Sequence, residues 1–126
     1  MTSARVPFRL DVASGTVRGD IRLPTESRST VSEAGAPEVA LVVCHGFKGF
    51  KDWGFFPAVC DELAMRIGCP VLSFNFSGSG VGSDLGTFSD REAFATNTFS
   101  REVADLDAVL DGSVGEWTAE AELSQR

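Results

Sequence analysis

An α/β domain, in which an antiparallel hairpin leads into a parallel βαβ unit, is the fold class this sequence predicts. Three observations predict it. Residues 5–23 alternate apolar and polar side chains in two runs, and Val39-Ala40-Leu41-Val42-Val43-Cys44 is an unbroken apolar run. A helix-period stripe over residues 56–67 then separates that run from a second one, Val71-Leu72-Ser73-Phe74-Asn75-Phe76. Period-two alternation marks a strand with one wet face, and a continuous apolar run marks a strand covered on both. The stripe marks a helix lying on a sheet.

Val6, Phe8, Leu10 and Val12 alternate with Pro7, Arg9 and Asp11; Val17, Ile21 and Leu23 alternate with Arg18, Asp20 and Arg22. With Ala13-Ser14-Gly15 as the turn, residues 5–23 form the expected hairpin. Residues 24–38 are rich in Ser, Thr, Glu, Pro and Ala, the composition of a solvated surface loop. The unit 39–76 follows. Its first strand ends at His45-Gly46, and glycines at 46 and 49 allow a sharp turn. Pro57 suits a helix's first turn, where a missing N–H costs nothing. Phe56, Val59, Cys60, Leu63 and Ile67 place one apolar stripe against the sheet, with Gly68 and Pro70 as stops.

Residues 77–112 hold a Ser/Gly loop and helical segments. Ser89-Asp90-Arg91-Glu92 has capping-box spacing for a short helix. A longer helix is expected from about Phe99 to Leu110, with Phe99, Val103, Leu106 and Leu110 on its apolar face and Gly112 at its end. Residues 113–126 form a polar, acidic tail. The whole is one domain by length, without internal repeats.

The net charge is −7 and the 11 basic residues are scattered, which argues against nucleic acid or an anionic membrane surface as a partner. The apolar runs are too short to span a bilayer. Met1-Thr2-Ser3-Ala4-Arg5 lacks a signal peptide's hydrophobic core, so the expected location is the cytoplasm. Cys44, Cys60 and Cys69 read as buried reduced thiols; their spacing offers no zinc motif, and no cofactor is implied.

In parallel sheets, ligands bind at the carboxyl ends of the strands. That directs attention to Cys44-His45-Gly46-Phe47-Lys48-Gly49-Phe50-Lys51-Asp52-Trp53 and to Phe74-Asn75-Phe76-Ser77-Gly78-Ser79-Gly80. With Asn97-Thr98-Phe99-Ser100-Arg101-Glu102 following at the right distance, the chain resembles the amino-terminal half of an α/β-hydrolase. The stretch from His45 to Trp53 looks like a subgroup of esterase- or peptidase-like hydrolases related to dienelactone hydrolases. The resemblance implies hydrolysis of a small-molecule ester or amide through a serine acyl-enzyme. It places an oxyanion-hole N–H on the backbone of Phe47, where a preorganised donor is worth about 2.7–4 kcal/mol. It makes His45 and Gly46 structural, since the family's catalytic histidine lies near the carboxyl terminus. Lys48, Ser77 and Ser79 are candidate rim residues, as are Lys51 and Asp52, although such a charged trio also suits a solvated surface.

The family's nucleophile sits in a Gly-x-Ser-x-Gly elbow. Ser79, Ser83 and Ser113 each lack one or both flanking glycines. The chain is therefore expected to be a hydrolase domain cut before its nucleophile, inactive alone, and prone to self-association through the bare edge of strand 39–44, which the family's sheet order places centrally. Two alternatives stay open. One is a non-catalytic hydrolase-like binding module, or a fragment completed by another chain. The other is a nucleotide-binding βαβ domain, for which Gly78, Gly80 and Gly82 have the wrong spacing.

Overall fold

The computed structural model describes residues 4–24 and 39–113. Most of the 24–38 loop and the tail beyond Ser113 lie outside the described residues. The elements are β1 (Ala4–Val12), β2 (Gly15–Leu23), β3 (Leu41–Cys44), α1 (Phe56–Ile67), β4 (Val71–Asn75), α2 (Arg91–Ala95) and α3 (Phe99–Ser113). The four strands form one sheet in the order β1-β2-β4-β3. β1 and β2 pair antiparallel, β2 pairs antiparallel with β4, and β3 runs parallel to β4. The expected α/β architecture, a hairpin joined to a parallel βαβ unit, is what forms.

The hairpin turns through Ala13-Ser14, with Val12 paired to Gly15, whose φ of 147° suits only glycine. β1 keeps the expected alternation of half-buried and exposed side chains. β2 does not. Asp20 is buried and Arg22 is fully so, because α1 packs over β2 and the charges find partners: Arg22 Nε lies 2.7 Å from Asp61 Oδ1 of the helix, and Arg22 Nη1 donates to Ser73 Oγ of β4 at 2.9 Å.

One face of the sheet holds the main core. Val17, Ile21, Leu23, Leu72, Phe74 and Phe76 pack there with Val109 of α3, each large side chain contributing roughly 1.5–3 kcal/mol on burial. On the other face Cys60 and Ala64 of α1 meet Val71, flanked by Leu41, Val43 and Leu63. Pro57 enters α1 at its start, and Gly68 closes it at φ 73° while donating its N–H to Ala64 O. Both follow expectation.

The predicted faces of the helices are rotated. In α1 the buried line runs through Cys60 and Ala64, small residues that let the helix approach β4, so Val59 and Ile67 are exposed. In α3 the buried pair is Asp105 and Val109, whereas Phe99, Val103 and Leu110 face outward and only Leu106 of the predicted stripe joins the core. Asp105 is drawn inward by hydrogen bonds, which a hydrophobic pattern does not register. Gly112 lies inside α3 rather than ending it. Asp90, not Ser89, caps α2, its carboxylate accepting the Ala93 N–H at 3.1 Å.

β3 has the bare edge expected of it among the described residues, but it is not covered on both faces: Leu41, Val42 and Val43 are half-buried, and Cys44, expected as a buried thiol, is exposed. Cys60 and Cys69 are buried thiols as expected. Among the described residues no helix is long and apolar enough to cross a membrane, and no cluster of three metal-ligating side chains occurs.

Candidate active site

Because β3 and β4 run parallel, with Cys44 opposite Phe74, the segments that leave them emerge side by side. His45 joins the two. Its Nδ1 sits 2.8 Å from Gly46 O, and its Nε2 lies 3.2 Å from the Phe76 backbone nitrogen. A carbonyl can only accept and an amide N–H can only donate, so Nδ1 carries the proton and Nε2 is bare. The ring is buried and meets Phe76 edge-on, with centroids 5.0 Å apart. Burial pushes the His45 pKa down, partly opposed by the Gly46 hydrogen bond and the Glu102 charge. Both nitrogens are engaged in holding backbone.

The chain then turns, with the Gly49 N–H donating to Gly46 O at 2.9 Å. The left-handed residue in this turn is Lys48, at φ 61°. Contrary to expectation, Gly46 needs no glycine on this account, since a Cβ there would meet open space. Gly49 is the constrained one, a Cβ there lying 3.1 Å from Gly46 O. No hydrogen bond among the described residues uses the Phe47 N–H. The Phe47 side chain is 83% exposed and stacks on Phe94 at 5.7 Å, with Lys48 Nζ also 5.7 Å from its centroid.

Lys51 is not a rim residue. It is 4% exposed, its Nζ lies 2.5 Å from Asp20 Oδ2 and 2.6 Å from Asp52 Oδ2, and its N–H donates to Asn75 Oδ1 at 2.6 Å. Thus the far end of the His45–Lys51 segment is pinned to β2 and β4, as His45 pins the near end. Asp52, whose Oδ2 holds Lys51, is also spoken for.

Ser77 is likewise turned away from the rim. Its N–H and Oγ both donate to the buried carboxylate of Asp105, at 2.8 Å each, and Ser14 Oγ lies 2.7 Å from its Oγ. This knot ties the hairpin turn, β4 and α3 together. Ser79 is 7% exposed and its Oγ accepts the Val81 N–H at 3.2 Å, yet it lines a cleft. The Ser/Gly loop forms no phosphate cradle. A Cβ at Gly78 would strike Asn97, one at Gly80 would strike the Phe88 ring, and α2 starts only at Arg91.

Two clefts flank the Gly46–Gly49 turn. One, about 600 Å³, is lined by His45, Gly46, Phe47, Phe76, Asn97 and Glu102 among others. The second, about 470 Å³, is lined by Lys48, Phe50, Ser79, Val81, Phe88 and Phe94 among others. Both volumes suit small-molecule ligands. Phe88 and Phe94 are the site residues that sequence reasoning missed. The available signal was their aromaticity in the otherwise polar stretch around α2.

Cys44 sits beside this region; although the residue is exposed, partial covering of its thiol, helped by the Glu102 charge, pushes its pKa up. It is poorly suited to act as a thiolate nucleophile.

No protein-family model matches the sequence, and no curated protein does. Solved structures do match. One is a PEG-bound cold-adapted esterase from an Arctic intertidal metagenomic library, 21% identical with a TM-score of 0.61 over 88% of this chain. The match covers 44% of the esterase, so the chain spans less than half of that protein's length. At this identity the likeness shows the fold: a partial α/β-hydrolase-like arrangement.

Proposed function

We propose that this chain is part of a serine hydrolase that cleaves a small-molecule ester or amide, and that it supplies the oxyanion-hole arm. In this reading the Phe47 N–H polarises the substrate carbonyl and holds the alkoxide formed when a serine outside residues 1–126 attacks. The acyl-enzyme is then hydrolysed, with base and acid also supplied from outside. His45 and Gly46 set the arm's position and do not exchange protons with substrate. The observation that carries this reading is the double pinning of the turn beside a Phe47 N–H that no hydrogen bond among the described residues uses: His45 bonds Phe76 and Gly46 at one end, and Lys51 bonds Asp20 and Asn75 at the other. A donor fixed before substrate arrives is what such stabilisation requires.

The test compares this chain with one continued past residue 126 through a Gly-x-Ser-x-Gly elbow. Both are treated with a fluorophosphonate probe and assayed on p-nitrophenyl esters. Labelling and turnover are expected only in the longer chain. There, Phe47→Pro, which removes the N–H at a turn position proline tolerates, lowers kcat by about 10²–10³ with KM little changed. A labelled serine within residues 1–126, or undiminished kcat in Phe47→Pro, refutes the proposal.

A second reading, a non-catalytic binding module, is favoured by the engagement of the nearby serines, Ser77 with Asp105 and Ser79 with Val81. Absence of labelling in every extended chain, with retained ligand binding, selects it.

A further inference from the structure

We propose that the cleft between the Gly46–Gly49 turn and α2 is an aryl-binding subsite, and that aryl-substituted carboxylic acids and their esters are the ligand class it selects. The proposal rests on the hydrolase reading and extends it to substrate class. Its basis is a ladder of three phenylalanines. Phe47 stacks on Phe94 with the ring planes 29° apart, and Phe88 meets Phe94 edge-on at 5.2 Å and 80°. Phe94 lines both clefts, so the ladder runs from the proposed carbonyl-binding turn into the 470 Å³ cleft. Two of its rings stay open to water, Phe47 at 83% and Phe88 at 47%. Exposed apolar rings that line a concavity are the recurrent mark of a ligand site, whereas scattered ones are not.

The polar groups are few and placed at its edge and wall. Lys48 contributes a cation at the lip, and the buried Ser79 contributes a hydroxyl that accepts from Val81 and leaves its own proton uncommitted among the described residues. A planar ring in the cleft completes the stacked and edge-on geometry already begun by Phe94 and Phe88, which an alkyl chain does not. A carboxyl or ester group on that ring then reaches back over the turn, toward Lys48 and the Phe47 N–H.

Gly86 provides a clean test. A Cβ there meets nothing within 4 Å, so a side chain can be added on the cleft wall without disturbing the fold. The 126-residue chain, labelled with nitrogen-15, is titrated with 3-phenylpropionate and, separately, with propionate while amide shifts are followed. Saturable shifts are expected at Lys48, Gly49, Val81 and Phe94 with 3-phenylpropionate only. Phe94→Ala weakens that binding by about tenfold, Gly86→Leu abolishes it by filling the cleft, and Phe55→Ala, an exposed ring elsewhere, leaves it unchanged. Equal shifts with propionate, shifts mapping elsewhere, or full binding by Gly86→Leu overturn the subsite. Serine labelling of an extended chain without aryl binding removes this inference and keeps the hydrolase reading. Aryl binding without any labelling does the reverse.

Discussion

His45 is held as a neutral base whose bare nitrogen accepts the Phe76 N–H. Burial lowers its folded-state pKa below the ordinary 6.5, so the unfolded chain binds the proton more readily. Stability from this group is therefore complete above 6.5 and is lost as pH falls below 6.5 toward the folded value. Urea midpoints measured from about pH 7.5 down to pH 5.5 should fall more steeply for the native protein than for His45→Asn; parallel curves would show that the imidazole does not titrate in this way. The role was half legible in the sequence. A histidine and a glycine closing an apolar run announced the end of a strand, but the Phe76 N–H that the ring accepts lies on a distant segment. Lys51 was less legible still: a lysine beside an acid reads as surface, and only Asp20, remote in sequence, makes it interior.

At the scale of elements, β2 carries the lesson. Its alternation was real, yet its polar side is a layer of buried charge beneath α1. Asp20 holds Lys51, while Arg22 holds Asp61 and Ser73. Periodicity reports which side chains share a face and cannot report that a helix will cover it. The same limit rotated α3, where Asp105 faces inward to bind Ser77. Element positions were legible because Pro57, Gly68 and the apolar runs are local signals; faces were not, because partners are distant. Asp20→Ala leaves the almost wholly buried Lys51 ammonium with Asp52 as its one remaining carboxylate among the described residues, and is expected to cost about 1.5–3 kcal/mol in urea denaturation. Adding Lys51→Met should restore most of that loss. A cost below about 1 kcal/mol for the single variant would place the pair with weak surface bridges instead.

For the molecule as a whole, the sheet order leaves β3 at an edge among the described residues, with exposed Val39 beside it and with Val59, Ile67, Phe99, Val103 and Leu110 exposed on the helices. An open strand edge with apolar residues exposed around it favours association. Sedimentation velocity should show a concentration-dependent dimer or larger species, and Phe99→Lys with Val103→Lys should shift it toward monomer; a concentration-independent monomer would count against it. The antiparallel ladder between β2 and β4 bears on time rather than strength. Arg22 must find Val71 across the whole intervening stretch of chain, although β1 and β2 meet through a tight turn. Closing so long a loop before any contact rewards it slows assembly. Refolding should thus be limited by the arrival of β4 at a hairpin that has already zipped.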